Sequence, residues 1–290
     1  MIVGAGKTAM DVGVWLLNMG VDAANISWVR PREAWLINRA STQPGAKYAA
    51  NTTGWQLEQM RIAATASNAD EIFLHLEKHG HMLRIDPSSL PSTFHFPTIS
   101  QGEVDLLRQI EDVIKIGRVS LIEPGFLHGA AGTAPVPVNS LFIDCTAVAA
   151  PRLSVTPIWQ GDVIIPGLLQ APLVSLSASV AGFIEASFTT DDEKNALAVP
   201  MQFTDTPAHY PQVLLSNALN RLLWSQNEKV TGFLKTARLD PAARTRAIMA
   251  DVSNQVREEA SQIRDATIAA VENLQKLSAD SEAEQGAGER

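Results

Sequence analysis

The stretch Ile2-Val-Gly-Ala-Gly-Lys-Thr-Ala-Met-Asp11 carries the residue types and spacing that could grip a phosphorylated coenzyme. A short apolar strand runs into a glycine turn, and a helix continues through Val12-Gly-Val-Trp-Leu-Leu17. In a dinucleotide-binding turn, Gly4 permits the tight bend and Gly6 leaves no Cβ between backbone and pyrophosphate. Ala9 lets helix and strand pack closely. Ala5, Lys7 and Thr8 complete the turn. The N–H groups of the first helical turn, aided by the helix dipole, then face the phosphates. Gly6-Lys7-Thr8 also matches the end of a P-loop, but the first glycine of that motif would fall at Met1. A glycine turn with no ligand is the plain structural alternative.

The next elements must position the rest of such a site. Gly20 is placed to end the first helix, and Asn25 to Arg30 reads as a second strand. The end of that strand meets the adenosine ribose, where an acidic residue suits NAD and arginine suits the 2′-phosphate of NADP. Arg30 and Arg32 flank Pro31, with Glu33 after them. Two guanidinium groups can hold phosphate bidentately, so the pattern predicts NADP, with Arg30 and Arg32 on the 2′-phosphate. A solvated basic loop is the alternative.

Val3 to Asp11, followed by Trp28-Val-Arg-Pro-Arg-Glu-Ala-Trp35, resembles the NADP-binding segment of flavin-containing monooxygenase-like NAD(P)/FAD-dependent oxidoreductases, the two-dinucleotide-binding-domain flavoproteins. In that family the NADP domain is inserted into an FAD domain, and a strand ending in an Ala-Thr-Gly-like turn returns the chain. Leu141 to Ala147 resembles the return strand, with Thr146 and Ala147 at the turn. The resemblance implies FAD as a second cofactor and hydride transfer from NADPH to FAD. The family's FAD domain opens with its own glycine turn upstream of the NADP turn. Here the sequence begins just before Gly4, so it reads as a member truncated before the NADP turn. The other function class is a non-catalytic dinucleotide-binding or interaction module with a helical association tail. No catalytic acid, base or nucleophile is singled out.

Composition narrows the classes. Of the 290 residues, 46% are hydrophobic and 19% charged, as in a globular protein with a substantial core. A net charge of −8 argues against nucleic acid as a partner. Cys145 is the single cysteine, which excludes an intrachain disulfide and a dithiol redox pair, and it is expected to be a buried small apolar residue. The uncharged run from Val163 to Ile184 holds Pro166, Gly167, Pro172 and several serines, which suit a strand, a turn and a helix better than a membrane span. With no basic leader, a cytoplasmic location is the default expectation. His75 and His79 fall on one helix face near His81, but the H-E-x-x-H pattern is missing, so no metal is expected.

These readings predict an α/β fold, a Rossmann-like doubly wound sheet with a C-terminal helical extension. Residues 1–139 form the NADP-binding domain, with a helical insertion from Trp55 to about Lys78 that breaks near Ser67-Asn68. The segment from Ala34 to Gly54 reads as polar and turn-rich. Gln101 to Ile114 reads as one amphipathic helix, followed by strands at Arg118–Glu123 and Ser140–Thr146. The resemblance makes residues 140–190 a remnant of the FAD-domain return segment, with a strand at Asp162–Pro166 and a helix at Ser177–Ala186. Residues 191–277 are the helical extension: Thr189 to Lys194 is a charged break, a helix spans Pro211–Trp224, and Asp240 caps another. A heptad-like seam runs through Val256, Ala260, Ile263, Thr267, Ala270, Leu274 and Leu277. It packs either back on the sheet domain or against a second copy as a homodimer. Residues 278–290 have the composition of a disordered tail.

Overall fold

The computed structural model describes residues 1–43, 46–147, 154–203, 205–241 and 254–288. The elements of the first half are β1 (Ile2–Val3), α1 (Lys7–Asn18), β2 (Trp28–Val29), β3 (Leu36–Asn38), α2 (Arg39–Thr42), α3 (Ala49–Thr65), α4 (Ala69–Lys78), β4 (Met82–Leu83), β5 (Thr98–Ile99) and α5 (Gln101–Leu107). There follow β6 (Val113–Ile114), β7 (Val119–Glu123), β8 (Phe126–Gly129), β9 (Gly132–Pro135), β10 (Ile143–Asp144), β11 (Trp159–Gln160), β12 (Val163–Ile164) and α6 (Val174–Ser187). The chain closes with α7 (Asp191–Ala196), α8 (Tyr210–Ser225), α9 (Glu228–Thr236) and α10 (Asn254–Gly288). The fold is mixed α/β. It divides into two units, Met1–Arg39 with Glu77–Ala149, and Ala40–Leu76 with Ala150–Arg290. The expected helical insertion from Trp55 therefore clusters, as far as Leu76, with the C-terminal helices, and the first unit runs ten residues past the expected boundary at 139.

The two central strands of the first unit, each only two residues long, have their backbone groups paired on both sides. In the first unit β1 is parallel to β10 on one side and to β2 on the other, and β2 is parallel to β6, giving the order β10-β1-β2-β6. Successive strand residues point to opposite faces. Ile2 and Trp28 accordingly join Ala9 and Met10 of α1 and Val104 and Leu107 of α5 in one core. Val3 and Val29 face the other way, onto Leu127 of β8 with Ile116 and Val136. The sheet is thus covered by helices on one face and by the antiparallel β7-β8-β9 sheet on the other.

Several local expectations give way to sheet pairing. The helix expected to reach Ile114 stops at Leu107, and Val113–Ile114 is β6 instead. The open edge of β2 is the reason: Trp28 N donates to Asp112 O at 2.8 Å and Arg30 N to Ile114 O at 3.0 Å, which helical carbonyls could not accept. Trp35, Leu36 and Ile37, inside the stretch expected to be turns, are buried, and β3 pairs with β4 and β5. The expected strand at Asn25–Arg30 shortens to Trp28–Val29.

In the second unit α8 supplies the polar groups that satisfy neighbouring loops. Asn220 is fully buried, and its Nδ2 donates to the carbonyls of Leu169 and Val199, both at 2.8 Å. Arg221 forks onto the fully buried carboxylate of Asp240 at 3.0 Å twice. The helix that Asp240 was expected to cap lies outside the described residues. The charged stretch Thr189–Lys194 is no break. Thr190 and Glu193 form a capping box that starts α7, the S/T-x-x-E pattern of a helix start.

Ala270, Leu274 and Leu277 of the heptad-like seam are buried, and α10 packs against α3 and α8 of its own chain. Asn273 Nδ2 caps the end of α3, donating to Ala63 O at 2.9 Å and Ala66 O at 2.8 Å. Where a disordered tail is expected, α10 continues as helix through Gly288. Among the described residues no helix is long and apolar enough to cross a membrane, and the run from Val163 to Ile184 is divided between β12, a connecting loop and α6.

Tyr210 opens α8 almost wholly buried, its ring 4.9 Å from that of Phe73 and its hydroxyl accepting from Gln59 Nε2. Burial pushes its phenol well above the ordinary value of 10.0. A folded value above the unfolded one means the stabilisation is full below pH 10.0 and is lost as the pH rises from there toward the folded value. Thermal melts followed by circular dichroism from about pH 8 to about pH 11 should show the melting temperature falling at the alkaline end, and Tyr210→Phe should flatten that fall.

Candidate functional site

The carboxyl ends of β1 and β10 lie side by side, with the glycine turn at their edge. Gly4 closes β1 at φ 129°, and a Cβ there would sit 2.5 Å from the carbonyl oxygen of Cys145. Gly4 N donates to Val29 O at 3.0 Å, Cys145 N donates to Val3 O at 2.8 Å, and the indole Nε1 of Trp28 donates to Gly4 O at 2.7 Å. The turn is thus held from both neighbouring strands. Trp28 is a contributor that pattern reading placed only as a strand residue.

Gly6 is the N-cap of α1, with φ −80° and no side-chain cap, and a Cβ built on it meets nothing within 4 Å. The first four N–H groups of a helix have no intrahelical acceptor, and together with the dipole they make this end attractive to an anion. Met10 N makes the first intrahelical bond, to Gly6 O at 3.2 Å. The N–H groups of Lys7, Thr8 and Ala9 face the open end. Ala5 is half-buried, Thr8 is exposed and Ala9 is fully buried against the sheet, as its small size allows. Lys7 is ion-paired to Asp11 one turn on.

Beyond β2 the two predicted arginines part company. Arg32 is exposed. Arg30 is only 6% exposed, its Nε bonded to Glu33 Oε1 at 2.9 Å and its guanidinium 5.0 Å from the centre of the Trp28 ring. Glu33 also meets Lys115 Nζ at 3.4 Å, and Lys115 bonds Asp86 at 2.9 Å. These bonds, that to Asp86 first, raise the pKa of Lys115, and the Ser88 hydroxyl with Lys115 holds Asp86 well below the usual carboxylate range. Lys115 follows β6 directly, and the helical reading of Gln101–Ile114 is what hid it. Glu33 could have been suspected from Arg30-Pro-Arg-Glu33, because a carboxylate three residues after a guanidinium is within reach.

Thr146 and Ala147 are exposed just past β10. Thr146 donates to Asp144 Oδ1 from its N at 2.9 Å and its Oγ1 at 2.7 Å, which holds the Asp144 carboxyl below its ordinary value. Cys145 between them is half-buried rather than buried. Desolvation, with the Asp144 charge second, pushes its thiol up. His75 lies 3.8 Å from Glu71 on the exposed side of α4. Among the described residues no group of three or more His, Cys, Asp or Glu could hold a metal ion.

Set against known proteins, the chain is 33% identical over 240 residues to the uncharacterized proteins Rv2000 of Mycobacterium tuberculosis and Mb2023 of Mycobacterium bovis. The match covers 83% of this chain and 45% of each relative, so the chain spans about half the length of the curated relatives it matches. No family model and no solved structure matches it.

Proposed function

We propose that the first unit binds a dinucleotide coenzyme, NADP, as part of a flavoprotein oxidoreductase of the monooxygenase-like type. One observation supports the reading: Gly6 opens α1 with no side-chain cap, and a Cβ there would meet nothing within 4 Å, beside the end of a parallel strand. Counted by appearance, the order β10-β1-β2-β6 is fourth-first-second-third. That is the order of one half of a Rossmann-like sheet, whose ligands bind where strand order reverses, here between β1 and β10. On this reading the anion site would lie at that point.

The residues fit NADP more fully than FAD. Gly4, Ala5, Gly6, Lys7, Thr8 and Ala9 would hold the pyrophosphate, the amides of α1 donating to its oxygens. Arg32, exposed beyond β2, would receive the 2′-phosphate. For FAD the chain offers Thr146 and Ala147 at the end of β10, and the sequence has no second glycine turn between a strand and a helix. Bound NADPH supplies a hydride and a flavin accepts it. This chain's own residues grip and orient the dinucleotide.

Calorimetric titration with NADPH and with NADH tests the reading, and an absorption spectrum of the purified protein tests its flavin half. NADPH should bind, and more tightly than NADH. Binding of neither would overturn the reading. A colourless protein that binds NADPH without reducing added FAD would leave a dinucleotide-binding module in place of the oxidoreductase.

A further inference from the structure

Resting on that reading, we propose that Glu33 is the residue that sets how strongly this site distinguishes dinucleotides with a 2′-phosphate from those without one. It does so by withholding Arg30 from the ligand.

Four charges lie together past the carboxyl ends of β2 and β6. Arg30 follows β2 and Lys115 follows β6, each one residue beyond its strand, and Glu33 and Asp86 join them by ion pairs of 2.9 to 3.4 Å. Two positive and two negative groups cancel. Arg30 is 6% exposed and Glu33 9%. A guanidinium so covered, stacked on Trp28 at 5.0 Å and bonded through Nε, has its charge spent inside the protein. Only half-exposed Lys115 and exposed Arg32 stand toward solvent. A 2′-phosphate brings up to about two negative charges, as phosphate monoesters do near neutral pH. It therefore meets Arg32 and a cluster that is already neutral, with a carboxylate at its centre. Glu33 is also held from its backbone, where its carbonyl accepts from Ser92 N at 3.1 Å, Thr93 N at 3.2 Å and Thr93 Oγ1 at 3.0 Å. The carboxylate is thus kept at this position and does not drift as a surface side chain would.

Glu33→Gln removes one negative charge, weakens the hold on Arg30 from a charge-assisted to a neutral hydrogen bond, and frees Lys115 from one of its two carboxylates. NADPH affinity should rise about tenfold relative to NADH, the size expected when one close charge is unmasked toward a phosphate. NADH affinity should stay within about twofold, since its ribose carries no charge there. An unchanged NADPH-to-NADH ratio would overturn the proposal. The double variant Arg30→Met with Glu33→Met removes both partners, leaves no buried unpaired charge, and decides the matter where Glu33→Gln destabilises the chain. Its ratio should not fall below that of the unaltered protein, because Arg30 makes no contact to lose and Lys115 is still freed from Glu33. A fall in the ratio would show that Arg30 already touches the 2′-phosphate and would overturn the proposal. Failure of both dinucleotides to bind the unaltered protein is a different result, and it would sink the underlying reading as well.

Discussion

Gly4→Ala is expected to lower stability by about 3–5 kcal/mol and the melting temperature by on the order of 10 °C. Two costs add. A φ of 129° is a conformation that L side chains rarely adopt, and the new methyl would lie 2.5 Å from the carbonyl oxygen of Cys145 and 2.9 Å from its carbon. Both atoms are backbone, and Cys145 cannot withdraw easily because its N–H holds Val3 O at 2.8 Å across the β1–β10 pair. Moving Gly4 instead would break its bond to Val29 and pull its carbonyl from the Trp28 indole. The loss should appear in a chemical or thermal melt of the whole chain. A variant that melts with the unaltered protein would show that β1 and β10 do not run side by side at this point.

How much of this could be read in the residues depends on how local each signal is. Strand, turn and helix at Ile2 to Asn18 are specified within one short stretch: two apolar residues, glycines spaced by one, then a buried face at Ala9 and Met10. The break between α3 and α4 was equally local, with Asn68 Oδ1 accepting from Glu71 N at 2.9 Å where the chain restarts. Pairing was not local. Nothing in Val113 and Ile114 says that they border β2; their distances from Ile110 fit a helix equally well, and only the unsatisfied edge of β2 decides otherwise. Trp35 to Ile37 lay hidden for a similar reason, being too short an apolar run among Arg, Glu and Asn to stand out before β4 and β5 are in place. At the site itself the glycines carried their own signal. The pairing of Arg30 with Glu33 was within local reach, but the rest of the cluster was not, since Lys115 and Asp86 lie far along the chain. The same applies to the Trp28 indole, whose acceptor is 24 residues away.

Gly6 separates what the fold needs from what a ligand needs. Its φ of −80° is open to any residue, and a Cβ there touches nothing within 4 Å. Aspartate is among the best N-caps and also complements the helix dipole. Gly6→Asp should therefore leave stability unchanged or raise it by a few tenths of a kcal/mol. The same carboxylate would take the amides of α1 that the reading assigns to the pyrophosphate, and it would repel the coenzyme's charge. Dinucleotide affinity should then fall at least about 100-fold, or roughly 2.7 kcal/mol. The measurement that bears most directly on the account is calorimetric titration of NADPH into the Gly6→Asp protein beside the unaltered one, with melting temperatures taken on the same samples. The account predicts equal melting and a binding isotherm lost from the variant alone. Equal melting with NADPH bound equally tightly by both would contradict it, because the coenzyme would then have no use for the open end of α1.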